Sequence, residues 1–68
     1  MMTPDQYLAK FRRREYNRMK GTLKRRGLWP EEKDNVIIAL NALMEQEKRR
    51  VLLYDEYNFQ RMVRGEIP

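Results

Sequence analysis

The sequence predicts an all-α fold: a two-helix antiparallel hairpin that pairs with a second copy into a four-helix bundle. Three observations predict it. Helix-breaking residues sit at the ends of long stretches, with prolines at 4, 30 and 68 and glycines at 27 and 65; Gly21 alone falls inside one. Between them the apolar residues recur with the 3.6-residue period of a helix. The 68 residues are 37% charged and 41% hydrophobic, a balance that suits helices with one buried and one solvated face. One small helical domain over 1–68 is expected, with helix 1 over about 4–26, a turn at 27–29 and helix 2 over about 30–64.

The start of helix 1 is written in "TPDQ". Thr3 serves as N-cap, Pro4 as first helical residue, Asp5 matches the positive helix end, and Gln6 completes a capping box. Gly27, after Arg26, ends the helix in a left-handed cap. "GLWP" is a short connection, which favours antiparallel neighbours. Pro30 then opens helix 2, with Glu31, Glu32 and Asp34 in or near its first turn.

Helix 2 reads as continuous, because no glycine or proline interrupts it before Gly65. Glu45 and Arg49 form a favourable i,i+4 pair across its polar middle. At ~50 Å it would overhang helix 1, at ~35 Å, by the rise of 1.5 Å per residue. The alternative is a break near Glu45–Arg50, with a third short helix from about Arg50.

Helix 1 is amphipathic. At 100° per residue, Leu8, Ala9, Phe11, Tyr16, Met19, Thr22 and Leu23 share a half-circle, with Tyr7 on its rim. Lys10, Arg13, Arg14, Asn17, Arg18, Lys20, Lys24 and Arg25 take the other side with Gly21. Arg12 and Glu15 fall inside the apolar arc as an i,i+3 pair, expected to satisfy one another at its rim. Gly21, costing up to ~1 kcal/mol relative to alanine in a helix, reads as a stop, a tolerated residue or a point of close ligand approach.

Helix 2 is apolar on two sides. One stripe joins Val36, Ile37, Leu40, Leu43, Met44, Val51, Tyr54 and Met62; a weaker one joins Ile38, Leu52, Phe59 and Val63. One partner helix covers one stripe, so Val36, Ile37, Leu40, Leu43, Met44, Val51 and Tyr54 are the expected core and self-association residues of a homodimer. Self-association also suits a chain too short to build a large core. Trp29 caps the end of that core, or marks a partner contact.

Composition narrows the function. Without cysteine or histidine there are no disulfides, no thiolate or imidazole metal ligands and no histidine general base. The remaining nucleophiles are two threonines, four tyrosines, the lysines and the carboxylates, so no enzyme activity, metal or cofactor is expected. The longest apolar run, Val36–Leu40, is far short of the ~20 residues of a membrane span, and a soluble cytoplasmic protein is expected.

Charge is strongly asymmetric. Residues 1–30 hold nine basic and two acidic side chains, for +7; residues 31–68 hold six and eight, for −2, together the +5 of the chain. An acidic partner is expected. The first reading is nucleic acid, DNA or RNA: the arginines fork onto phosphates, the lysines add point charges, and Asn17 is the neutral side chain able to read a base edge. The second is a protein-binding regulator that docks on an acidic protein through this face, or through the amphipathic "VLLYDEYNFQRMV". A solvated face paired with acids of helix 2 and an anionic membrane surface are the remaining alternatives.

Overall fold

The computed structural model describes all of residues 1–68 and is all-helical, with three helices and no strand. They are α1 (Pro4–Arg25), α2 (Lys33–Val51) and α3 (Glu56–Val63). No helix is long and apolar enough to cross a membrane.

The first terminus forms as its residues dictate. Thr3 Oγ1 accepts the Gln6 N–H at 3.2 Å, and Gln6 Oε1 accepts the Thr3 N–H at 2.9 Å. Together they satisfy two backbone donors that a helix start leaves without partners. α1 runs through Gly21 without interruption and ends at Arg25. There Gly27 takes a left-handed φ of 71°, the Leu28 N–H donates to Leu23 C=O at 2.9 Å, and the Gly27 N–H donates to Lys24 C=O at 3.1 Å. This is a Schellman cap, and glycine enters the left-handed region without a Cβ clash.

The connection is longer than the sequence suggests, spanning residues 26–32. Regular helix starts at Lys33 rather than Pro30. Turn bonds from the Glu32 N–H to Leu28 C=O and from the Lys33 N–H to Pro30 C=O come first, and α2 then opens with the bond from the Val36 N–H to Glu32 C=O. Glu32 is the N-cap but its carboxylate caps no backbone N–H; it accepts instead from the Asn35 side chain. Trp29 anchors the connection by packing edge-on against Tyr16, ring centres 6.0 Å apart.

α1 and α2 lie against each other in opposite directions. Tyr7, near the start of α1, bonds Glu47 and Arg50 near the end of α2. Met19, Thr22 and Leu23, near the end of α1, share a groove of about 400 Å³ with Asn35, Val36 and Ala39 near the start of α2.

The expected continuous helix over 30–64 is not what forms. α2 stops at Val51, and α3 starts at Glu56, so the break falls beyond the Glu45–Arg50 segment. Two causes converge. Asp55 adopts an extended conformation, and its carboxylate accepts the Asn58 N–H at 2.7 Å, an N-cap that starts a new helix. Beyond Val51, α1 has little length left to cover α2, because Tyr7 already lies level with Glu47 and Arg50 and only Pro4–Gln6 of the helix precede it. Turning back lets Phe59 and Met62 bury with Val51 against Tyr7, Leu8, Tyr54, Val63 and Ile67. A straight helix would leave those two large side chains in water, and each is worth ~1.5–3 kcal/mol when buried. Gly65, at φ 80°, closes α3 with a second Schellman cap, the Glu66 N–H donating to Arg61 C=O at 2.9 Å.

The core is small. Val36, Leu40, Val51, Phe59 and Met62 are the only buried residues, and Leu40 alone is wholly inaccessible. The body measures 43 × 18 × 17 Å with a radius of gyration of 14.1 Å. A compact chain of this length would have ~11 Å. The fold is a slender rod, and most of each helix remains in contact with water.

Candidate nucleic-acid interface

The cationic face of α1 is built by one periodicity. With Leu8, Phe11, Met19 and Leu23 turned inward and half-buried, the residues on the far side of the helix face solvent. Lys10, Arg13, Arg14, Asn17, Arg18, Lys24 and Arg25 are all exposed. Ala9, placed by the helical wheel on the apolar arc, is exposed as well.

The eight sequence-predicted residues are not equivalent. Arg18 is held by Glu15, its Nη2 2.6 Å from the carboxylate and its Nε donating at 2.9 Å. This replaces the expected Arg12–Glu15 pair. Glu15 reaches one turn forward, and Arg12 is left exposed outside any ion pair. Lys20 is half-buried, its ammonium 5.2 Å from the centre of the Trp29 ring and 6.0 Å from Tyr16. Arg14 lies over Phe11 at 5.8 Å, and the Arg25 guanidinium donates to Thr22 Oγ1 at 3.2 Å. Lys10, Arg13, Arg14, Lys24 and Arg25 thus form an exposed set outside every ion pair, with Asn17 in its middle.

The pairing of the remaining charges matters equally. The four ion pairs are Arg18–Glu15, Arg50–Glu47, Arg61–Glu66 and Arg64–Glu66. None joins a cation of α1 to an acid of α2, so the positive face is not neutralised within the chain. Gly21 lies on this face, and a methyl group there would meet nothing closer than the Arg25 guanidinium at 3.7 Å. Space, then, does not require glycine at that position.

The seven residues expected in self-association divide in two. Val36, Leu40 and Val51 are buried within a single chain. Ile37, Leu43, Met44 and Tyr54 are half-buried. The large apolar side chains left in water on α2 and beyond are Ile38, Leu52, Leu53 and Tyr57, at 68, 79, 85 and 69% exposure.

Sequence periodicity misses a polar cluster that locks the far end. Tyr7 donates to Glu47 Oε1 at 3.0 Å and accepts from Arg50 Nη2 at 3.1 Å. Arg50 Nε donates to Glu47 at 2.8 Å, and Arg50 Nη1 donates to the Tyr54 hydroxyl at 3.3 Å. Burial pushes the Tyr7 hydroxyl above its ordinary pKa, and the hydrogen bond and charge of Glu47 push it further. For Arg50, burial acts to lower the pKa, but the hydrogen bond and charge of Glu47 prevail and raise it. One signal was available: Glu47 and Arg50 are three apart, the spacing of neighbours on a helix face.

No protein-family model matches this chain, no curated protein matches it, and no solved structure matches it.

Proposed function

We propose that this protein is a small, non-catalytic, cytoplasmic regulator that binds nucleic acid through the cationic face of α1. The α1–α2 pair serves as a helical hairpin that displays the face. The observation that carries the reading is the exposed set Lys10, Arg13, Arg14, Lys24 and Arg25, none of it paired with the acids of α2. Had those acids neutralised it, the face would serve solubility alone.

From Lys10 to Arg25 the helix rises ~22 Å, about the length of six phosphates along one strand. Each arginine offers two parallel donors to a phosphate, and each lysine a point charge. Asn17, at the centre of the face, supplies a donor and an acceptor for a base edge. Binding of this kind is governed by charge, so phosphate contacts set affinity and Asn17 sets preference.

A protein partner is the second reading. It is favoured by Leu53 and Tyr57, which stay exposed at the corner between α2 and α3. The two readings separate in one experiment. Fluorescence anisotropy with labelled duplex DNA, duplex RNA and single strands is recorded for the wild type and for the triple variant Arg13→Gln, Arg14→Gln, Lys24→Gln. Glutamine keeps helix propensity nearly unchanged. Binding by the wild type and its loss in the folded triple variant support the proposal. No binding by the folded wild type at low salt rejects it and hands the face to a protein.

A further inference from the structure

The outward face of α2 carries a self-complementary pattern. Ile38, Ala42, Glu45, Arg49 and Leu52 follow one another at spacings of four, three, four and three, and all five are exposed. They lie opposite Leu40, the residue wholly buried against the rest of the fold. Glu45 and Arg49 stand one turn apart on this face, the spacing at which an ion pair is expected within a helix. Neither belongs to any ion pair of the chain. A charged pair left open between exposed apolar ends is the arrangement of an interface centre and its flanks.

We infer that a second copy of this chain covers this face, α2 against α2 in antiparallel, two-fold symmetric packing. The midpoint of Ile38 and Leu52 is Glu45, so an axis through Glu45 sets Ile38 of each copy over Leu52 of the other. Ala42 of each copy then gives room near the Arg49 of the other. The two Glu45 carboxylates approach at the axis, and Arg49 of the opposite copy lies ~6 Å along the helix from each. Both cross-pairs form together, as an isologous interface requires. The chain exposes 5288 Å², against ~4,600 Å² for a compact protein of its mass, so its slender shape leaves surface for a second copy to cover.

This arrangement fixes how the dimer uses α1. In each copy the cationic face points away from α2, and the interface face of α2 points away from α1. The dimer therefore stacks as α1, α2, α2, α1, with its two cationic faces on opposite outer sides. Such a dimer bridges two segments of nucleic acid rather than gripping one from both sides. This last step rests on the proposed binding by α1; the interface does not.

Charge reversal tests the interface. Glu45→Arg and Arg49→Glu each turn both Glu45–Arg49 cross-pairs into like-charge pairs, and each should raise the dimer dissociation constant at least tenfold in sedimentation equilibrium, with far-UV circular dichroism unchanged. An equimolar mixture of the two variants should recover a dimer, because every cross-pair is then opposite in sign. Repair within one chain cannot produce that rescue. A wild type that stays at 8.4 kDa through the micromolar range overturns the interface. So do single variants that dimerise like the wild type, or a mixture that stays monomeric. The second arm uses one duplex on beads and a second, labelled duplex in solution. The wild type should retain the label, and each single variant should bind a duplex with wild-type site affinity yet retain none. A dimer that binds duplex but bridges nothing overturns the back-to-back arrangement. A dimer that binds no nucleic acid overturns the bridging together with the reading of α1, and leaves the interface supported.

Discussion

Leu40 and Ile38 stand two residues apart in the run "VIIAL", yet one is wholly buried and the other is 68% exposed. Truncating each to alanine asks which way α2 faces. For Leu40→Ala the buried methyl groups are lost and a cavity is left, a cost of ~2–5 kcal/mol. For a chain of this length the whole stability is ~3–10 kcal/mol. Only five residues are buried, which places it toward the lower end. A loss of ~3 kcal/mol cuts the folded-to-unfolded ratio roughly a hundredfold, so a visible fraction of Leu40→Ala should be unfolded without denaturant. For Ile38→Ala the side chain is already in water, and the change should stay within ~0.5 kcal/mol. Urea unfolding followed by far-UV circular dichroism at low protein concentration reads both. As the concentration rises into the micromolar range, Ile38→Ala should fall behind the wild type, because only the wild type gains from association. Equal losses for the two variants at low concentration, or a loss below ~1 kcal/mol for Leu40→Ala, would show that α2 is turned about its axis relative to this packing.

Three further outcomes follow from local geometry. Gly21→Ala should raise stability by ~0.5–1 kcal/mol in the same urea assay, since a methyl group fits and helix propensity improves; destabilisation would mean a steric conflict there. Asp55→Ala should cost ~0.5–2 kcal/mol by removing the α3 cap, with protection of the amides of residues 56–63 from hydrogen exchange lost first; unchanged exchange there would refute the capping role. The raised pKa of Tyr7 means that its folded form holds the proton more tightly than the unfolded chain, whose value is near 10.0. Its contribution is therefore full below pH 10 and is lost as pH climbs through the higher folded value. Thermal midpoints should fall more steeply above pH 10 for the wild type than for Tyr7→Phe, and parallel curves would contradict that linkage.

Helix identity and the first two boundaries were legible because local chemistry sets them. Thr3, Pro4 and Gln6 cap α1 through their own atoms, and Gly27 ends it through its own φ. The break after Val51 was not legible from helix breakers, because residues 52–55 contain neither glycine nor proline. Asp55 followed by Glu56 is an N-cap pattern, but it lies inside an unbroken run of helix-compatible residues. What settles the break is tertiary: α1 ends its coverage near Arg50, and Phe59 and Met62 find Val51, Tyr7 and Leu8 only by turning back. In the site, periodicity placed seven of the eight predicted residues in water. It did not foresee that Lys20 leans onto Trp29, since that contact depends on the connection folding against Tyr16. Nor did it choose Arg18 over Arg12 for Glu15, because both lie three residues from that acid and only side-chain direction separates them.

The salt dependence of binding tests most directly whether α1 grips phosphates. Each neutralised phosphate on a duplex releases condensed counterions and contributes ~0.9 to the slope of log affinity against log salt. Five free cations predict a slope of about −4 to −5 for the wild type, and their reduction to two in Arg13→Gln, Arg14→Gln, Lys24→Gln predicts about −2. A wild-type slope near zero, or the same slope in both proteins, would contradict phosphate binding by this face.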